Sequence, residues 1–433
     1  MGRLFADLPE HRKLEIDVRG DERLRRAERD QVELQATSLD ALIEPDHLAR
    51  LVWGMVERFD LRPLLDRIQA RDGVPGAAHA DPAILVSLWL YATLDGVGSA
   101  RELARLCVAH VAYRWLCGGV SLNHHMLSDF RVEHAAWLDA ELTRSLTGLM
   151  ASGAVRPETI AQDGLRIRAS AGASSFRRET RLRVLQKAAA ERIAELKGTL
   201  EADPRGQKDT KTRRQSAAER AARERMARID AALAAMPDAK ARKARNKGKP
   251  EEARVSTTDA EARLMRMPDG GFRHAYSAQF CVETAHGLVV GVEVTTSGGD
   301  QDALVALHQQ VIDRLGRTPD HWLVDGGFVS AAGIAHVQTH GSRIYAPAGA
   351  KDVTAMSRCP QVVSWRARMQ TEAAKLLYRK RAATIEWLNA NLRNRGLYAV
   401  NVRGKAKVRA VLLWHALAHN LARIIRTPGM SPA

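Results

Sequence analysis

The sequence predicts an α/β protein: an all-α N-terminal domain, then a core built on a mixed sheet, with a basic helical hairpin inserted into that core. Three observations lead there. Residues 36–150 carry helix start and stop signals without strand alternation. Strand-like runs appear after residue 155 and resume after residue 272. Between them, residues 176–254 change composition, with apolar residues at three- and four-residue spacing and most of the chain's positive charge.

The chain has 433 residues and 66 Lys plus Arg against 50 Asp plus Glu, a net charge of +16. A chain so basic calls for a polyanionic partner, with nucleic acid first among them. No membrane association is expected. The longest apolar run, Ala83–Leu94, is too short for a bilayer that needs about 20 residues, and the first ten residues are interrupted by charge. Cys107, Cys117, Cys281 and Cys359 show no paired metal spacing and read as free thiols of a reducing cytoplasm.

Residues 1–35 read as a charged N-terminal arm. In the helical domain, 36–150, Asp81-Pro82 supplies an N-cap and first helical residue for a helix to about Leu94. Gly96 and Gly98 break it. The capping box Ser99-Ala-Arg-Glu102 opens a second helix through Trp115, closed by Gly118-Gly119, and a third runs from about Asn123 through Leu138. His124, His125, Ser128 and Arg131 on this last helix are candidates to enter a DNA groove; a plain bundle with a solvated face is the alternative.

The core is expected over 151–430. Thr159–Arg168 alternates as a strand does. In the insertion, 176–254, two apolar stripes flank a break at Asp203-Pro-Arg-Gly206, the pattern of an antiparallel helical hairpin. It holds 23 Lys/Arg against 12 Asp/Glu, and its tract 240–249, with Lys240, Arg242, Lys243 and Arg245, has no anion. Such a tract is a phosphate-binding arm or a solvated surface. Tyr276–Glu283 and Leu288–Thr296 read as strands joined by a turn at Thr284-Ala-His-Gly287. A helix over Asp302–Leu315, a strand over His321–Val324, a helix, a strand over Ser342–Ala346 and helices over 366–426 follow.

Three acidic residues are the candidate site: Asp163 and Asp325, at or near the ends of strand-like runs, and Glu386, on an arginine-lined helix. Three gathered carboxylates can hold two divalent metals over a phosphodiester. Asp325, followed by Gly326-Gly327, stands where a strand opens into a loop, or caps the helix that follows. Asp163 precedes Gly164, which would let a substrate or metal approach closely, or it pairs with Arg166 or Arg168. Glu386 has Ala382, Ala383, Asn389 and Ala390 at three and four residues, so it lacks the usual helix ion pair of a solvated glutamate. The element order is that of an RNase H-like core, in which the first strand sits centrally beside the fourth and brings Asp163 next to Asp325.

These residues carry a resemblance. Over roughly residues 35–425 the chain resembles a bacterial insertion-sequence DDE transposase, of the group whose last acidic residue sits in a Tyr-Arg-Glu-Lys pattern. It rests on Asp81-Pro-Ala…Leu90-Tyr-Ala…Gly96-Val-Gly-Ser99-Ala-Arg-Glu…Cys117-Gly-Gly…Asn123-His-His…Ser128-Asp-Phe-Arg131, on Ser256–Met265, and on Tyr276-Ser-Ala-Gln279. The resemblance implies that Asp163, Asp325 and Glu386 are the DDE triad and ligate two Mg²⁺ ions, or Mn²⁺ in their place. It implies that Tyr378 and Arg381 meet the transposon end, with Arg393 where the group usually has lysine. Four residues separate Arg381 from Glu386, where the commoner pattern has three. The implied function is binding of terminal inverted repeats, with metal-dependent cleavage and strand transfer of double-stranded DNA by a homodimer in the bacterial cytoplasm, at the nucleoid. The alternatives are an inactive or domesticated DNA-binding protein, and an RNase H-like nuclease without strand transfer.

Overall fold

The computed structural model describes residues 36–70, 73, 78–202, 210–297, 301–348, 359–427, 429 and 430. The expected N-terminal arm and the break at 203–206 lie outside the described residues. By its contacts the chain divides into Met1–Ser38 and Leu39–Ala433, and the second unit carries every regular element among the described residues.

The helical region consists of α1 (Leu48–Val56), α2 (Arg62–Leu65), α3 (Pro82–Leu94), α4 (Ala100–Ala109), α5 (Val111–Cys117), α6 (His124–Glu133) and α7 (Ala135–Ala151). Asp81 caps α3 by accepting from the Ala83 N–H at 2.8 Å. The helix is apolar all round because it is buried all round, from Ile84 to Thr93. The expected second helix is split at His110, whose extended backbone ends α4 and whose Nδ1 caps α5. Gly118, at φ 56°, closes α5 in the left-handed conformation that glycine adopts freely. The expected third helix likewise stops at His134, and α7 starts afresh.

The core follows: β1 (Thr159–Arg168), β2 (Phe176–Arg177), α8 (Glu179–Ala202), α9 (Thr210–Ala234), α10 (Met236–Arg245), β3 (Val255–Ser256), β4 (Arg263–Arg266), β5 (Phe272–Glu283), β6 (Val289–Thr295), α11 (Gln301–Leu315), β7 (His321–Leu323), α12 (Ala331–Thr339), β8 (Arg343–Tyr345), α13 (Pro360–Met369), α14 (Glu372–Arg381), a π-helical turn Ala382–Glu386, α15 (Trp387–Asn394) and α16 (Lys405–Arg426). The six-stranded sheet is mixed. β1 lies centrally, antiparallel to β5 and parallel to β7, with β8 beyond β7. The far edge of β5 is shared by β4 along its first part and β6 along its second. The β5–β6 turn passes through Gly287 at φ 72°.

The β1–β7 register is pinned from inside. The buried Trp322 Nε1 donates to the buried Gln162 Oε1 at 3.0 Å. A one-residue slip would break that bond and turn every side chain to the wrong face.

The insertion stands on the short β2–β3 ribbon. α8 and α9 pack against each other, and a separate small core of Leu182, Ala232, Met236, Ala239, Ala253 and Val255 fills its base. Among the described residues, the six-stranded sheet takes no strand from it.

α16 joins the two halves. It packs on α3, α6 and α7 on one side and on β6 on the other, and the main hydrophobic core runs unbroken through both. A polar lock reinforces the junction. Asp139 of α7 accepts from Arg314 of α11 and, at 3.1 Å, from Arg409 of α16. Arg314 is buried, and its other donors reach Thr143 Oγ1 at 3.0 Å and the Val290 carbonyl at 2.7 Å. Asp139→Ala is expected to cost about 3 kcal/mol, because it strands a buried guanidinium. Urea unfolding measures this; a loss below about 1 kcal/mol would mean that the charges are already solvated.

Candidate active site

Asp163 points from the central strand and is partly buried. Arg381, at the end of α14, forms an ion pair with its Oδ1 at 3.1 Å, and Asn389 of α15 donates to its Oδ2 at 3.3 Å. Arg381 is thus a partner of Asp163 that the sequence alone does not indicate. Gly164 also has a different reason than expected. A Cβ there would sit 2.5 Å from Gln279 Nε2, so the packing of β5 against β1 leaves little room for a side chain at this position.

Asp325 is exposed, two residues past the end of β7. The β1–β7 register runs from Thr159 opposite His321 to Ala161 opposite Leu323, and Asp163 and Asp325 each lie two residues past its end. Neighbouring strands lie about 4.8 Å apart, and residues two apart share a face. Asp325 also caps the turn Gly326–Phe328, its Oδ1 accepting from the Gly326 N–H at 2.6 Å. Capping and presentation at the strand's carboxyl end are therefore one arrangement. Tyr378 lies between these groups. Burial raises its phenol pKa. Arg381, which hydrogen-bonds it, opposes that rise, while the charges of Asp325 and Asp163 add to it.

Glu386 ends the π-helical turn, exposed, with no hydrogen bond to a described residue. Its face is set by its neighbours. Asn389, three residues on, shares its side of α15. Arg381, five residues back, shares it because a π turn closes i to i+5, whereas five residues of α-helix would leave the two about 140° apart. The extra residue between Arg381 and Glu386 is accommodated by that turn. Arg393 is exposed on α15.

The structure therefore gathers Asp163, Arg381, Asn389 and Tyr378, with Asp325 at the adjoining strand end and Glu386 on the same helix face. Among the described residues no three His, Cys, Asp or Glu side chains are drawn into a metal-holding group. The donor chemistry fits a hard divalent cation nonetheless. All three candidates are carboxylates, and the buried Asn389 Oδ1, beside Asp163, has no hydrogen-bond partner. Asn389 was not singled out from sequence; its three-residue spacing from Glu386 was the available signal.

Of the candidate groove residues, His125 and Ser128 are exposed on α6 and His124 is half-buried. Arg131 is corrected. It is 8% exposed, stacks on Trp89 with 4.7 Å from guanidinium carbon to ring centroid, and donates to the Gly98 carbonyl at 2.6 Å, so it lies on the buried side of α6 and not on the exposed face with His125 and Ser128. In the insertion, Lys240 is paired with Glu179, and Lys243 with Glu252 at 3.0 Å. Arg242 is half-buried; Arg245, Lys247 and Lys249 are exposed.

The fold is α/β, with one candidate carboxylate on the central strand, a second just past the neighbouring strand and a third on a packed helix. Comparison with known families agrees. Residues 37–133 match a family model described as a transposase domain, and residues 353–425 match one described as a transposase DDE domain. Together they support an insertion-sequence DDE transposase. No curated protein and no solved structure matched the chain.

Proposed function

We propose that the chain binds the terminal inverted repeats of its own element, cleaves the DNA there and joins the freed end to a target. The observation that supports this most is the grip of Arg381 and Asn389 on Asp163, which ties the helix carrying Glu386 to the strand beside Asp325. The strand order, with β1 between β5 and β7, supports an RNase H-like reading of the core.

In this reading Asp163, Asp325 and Glu386 hold two Mg²⁺ ions, Mn²⁺ serving as a substitute. DDE transposase domains generally use divalent metals. The ions supply Lewis-acid activation of water or of a 3′-OH and stabilise the leaving oxygen of an in-line displacement. Arg381 balances the Asp163 charge in the free protein and, released, holds a phosphate bidentately. Tyr378 positions the end beside it, and Arg393 contacts the backbone further along α15. His124, His125 and Ser128 present the exposed face of α6 to DNA. Two chains act together, since two ends must be synapsed. No helix among the described residues is long and apolar enough to cross a membrane, and the proposed place of action is the bacterial cytoplasm, at the nucleoid.

The test is incubation with a labelled element end and Mg²⁺, mapping cuts and joined products. Cutting without joining would leave a nuclease, and binding without cutting a DNA-binding protein.

The basic tract makes a separate prediction. Lys240, Arg242, Lys243 and Arg245 changed together to Gln are expected to weaken binding to all DNA alike and to flatten the salt dependence by about one unit per lost phosphate contact. Because Lys240 and Lys243 are already paired, a change of about two units is expected, not four. An unchanged slope in a salt titration would make the tract a solvated surface.

A further inference from the structure

Away from the acidic site, where the loop after α3, the start of α4, the segment after α15 and α16 converge, lies a cavity of about 190 Å³. Arg131, Arg395, Tyr398, Asn401, His415 and Ser99 line it, and no Asp or Glu does. Arg131 Nε, Arg395 Nη1 and His415 Nδ1 are buried without a hydrogen-bond partner. Arg131 and His415 are only 8% and 5% exposed. Burial lowers the Arg131 pKa to about 10, which leaves it cationic at neutral pH, and no carboxylate acts on it. Arg395 is likewise lowered by burial and then by Arg426. Burial first, then the two arginines, pushes His415 down to about 3, so its ring is neutral and adds no charge.

Two desolvated cations with no counter-ion are costly, and a buried charge without a partner calls for one. The donors that remain unused are those that an oxyanion takes. The first turn of α4, a ten-residue helix capped by Ser99, borders the same space and adds the positive end of its dipole. Trp89 beneath Arg131, and the Gly98 carbonyl, hold that guanidinium in place beforehand.

We propose that this cavity binds a single phosphate group, held by Arg131, Arg395 and His415. The group is either inorganic phosphate or a phosphodiester of a bound DNA strand; the second source rests on the function proposed above. Glu386 and Arg395 flank α15 at its two ends, nine positions apart or about 13 Å, close to four nucleotides of strand rise. Tyr398, 61% exposed, stands at the mouth.

The full chain is titrated with inorganic phosphate, with calorimetry and tryptophan fluorescence as readouts. Saturable binding at one site is expected, weakened about tenfold or more by Arg395→Met and by the isosteric Asn401→Asp, which sets a carboxylate at the mouth. The phosphate-free melting point of Arg395→Met should not fall, since an uncompensated cation is removed. Absent saturable binding by the unmodified chain, or unchanged binding in both variants, overturns the proposal. A second arm measures affinity for the element end. A parallel loss in both variants, with phosphate competing, identifies a phosphodiester as the ligand. Unchanged DNA affinity beside lost phosphate binding identifies the free anion. If the chain bound no DNA at all, the proposed function would fail, while the phosphate titration would still decide the cavity.

Discussion

Asp325→Asn and Glu386→Gln should each lower cleavage of the element end by about a thousandfold, an activation cost of about 4 kcal/mol, and leave end binding within a few-fold. Both side chains are exposed, and Glu386 makes no hydrogen bond to a described residue. Their isosteric replacement therefore costs folding stability little, within about 0.5 kcal/mol. A collapse of activity in a chain that melts where the parent does then reports chemistry and not unfolding. Asp163→Asn should be equally inactive for a second reason: Arg381 loses its counter-ion. Its melting point is the control, and a fall of several degrees would make that variant uninformative beside the other two. Near-normal cleavage by Glu386→Gln would remove Glu386 from the triad and leave Glu372 as the next candidate. Glu372 is exposed at the start of α14 and is paired with Lys375, at 2.7 Å.

Much of this arrangement was legible in the sequence because it is local. β1 runs over the expected residues, Thr159–Arg168. α3 ends at Leu94, and α11 begins one residue before its expected start. Alternation and capping report such elements directly, since each depends on residues within a few positions. The central place of β1, beside β7, also followed from element order. What was not legible is what distant segments do to single side chains. Arg131 on a short amphipathic helix looks like a groove contact until Trp89 and Gly98, from the loop before α4, enclose it. His110 and His134 break helices without the help of Gly or Pro, so no punctuation marked them. Asn389 reaches Asp163 across 226 residues of sequence. The cavity draws on α6, α16, the α3–α4 connection and the segment after α15, and its polar groups are invisible as a group until the chain is folded. The edge strand β4, with Leu264 and Arg266 exposed, carries too few residues for alternation to be read.

The π-helical turn gives the last prediction, an opposed pair. Arg381 and Asn389 both touch Asp163 although they stand eight positions apart. In a plain α-helix seven residues, not eight, return to nearly the same face, about 20° short of two turns. The turn over Ala382–Glu386 absorbs the extra residue, with Thr384 Oγ1 donating to the Lys380 carbonyl at 2.8 Å. Deleting Ala383, an exposed residue with no core contact, removes the surplus. Ala382–Glu386 then closes as ordinary α-helix. The two grips on Asp163 stand seven apart, and Glu386 stands four from Arg381, still on one face. This variant is expected to fold and to keep cleavage within about tenfold of the parent, the loss arising from a shift of about 1.5 Å along the axis. Inserting one alanine between Ala382 and Ala383 does the opposite. Arg381 and Asn389 would then stand nine positions apart, and the chain must either rotate Glu386 by about 100° or release Ile385 from the core. Cleavage should fall to the level of Glu386→Gln. The same mapped-cut assay, run beside melting curves, decides it. If the deletion proved as inactive as the insertion while both folded, the turn would be a chemical requirement of the site, and the view that it only restores the helix face would be wrong.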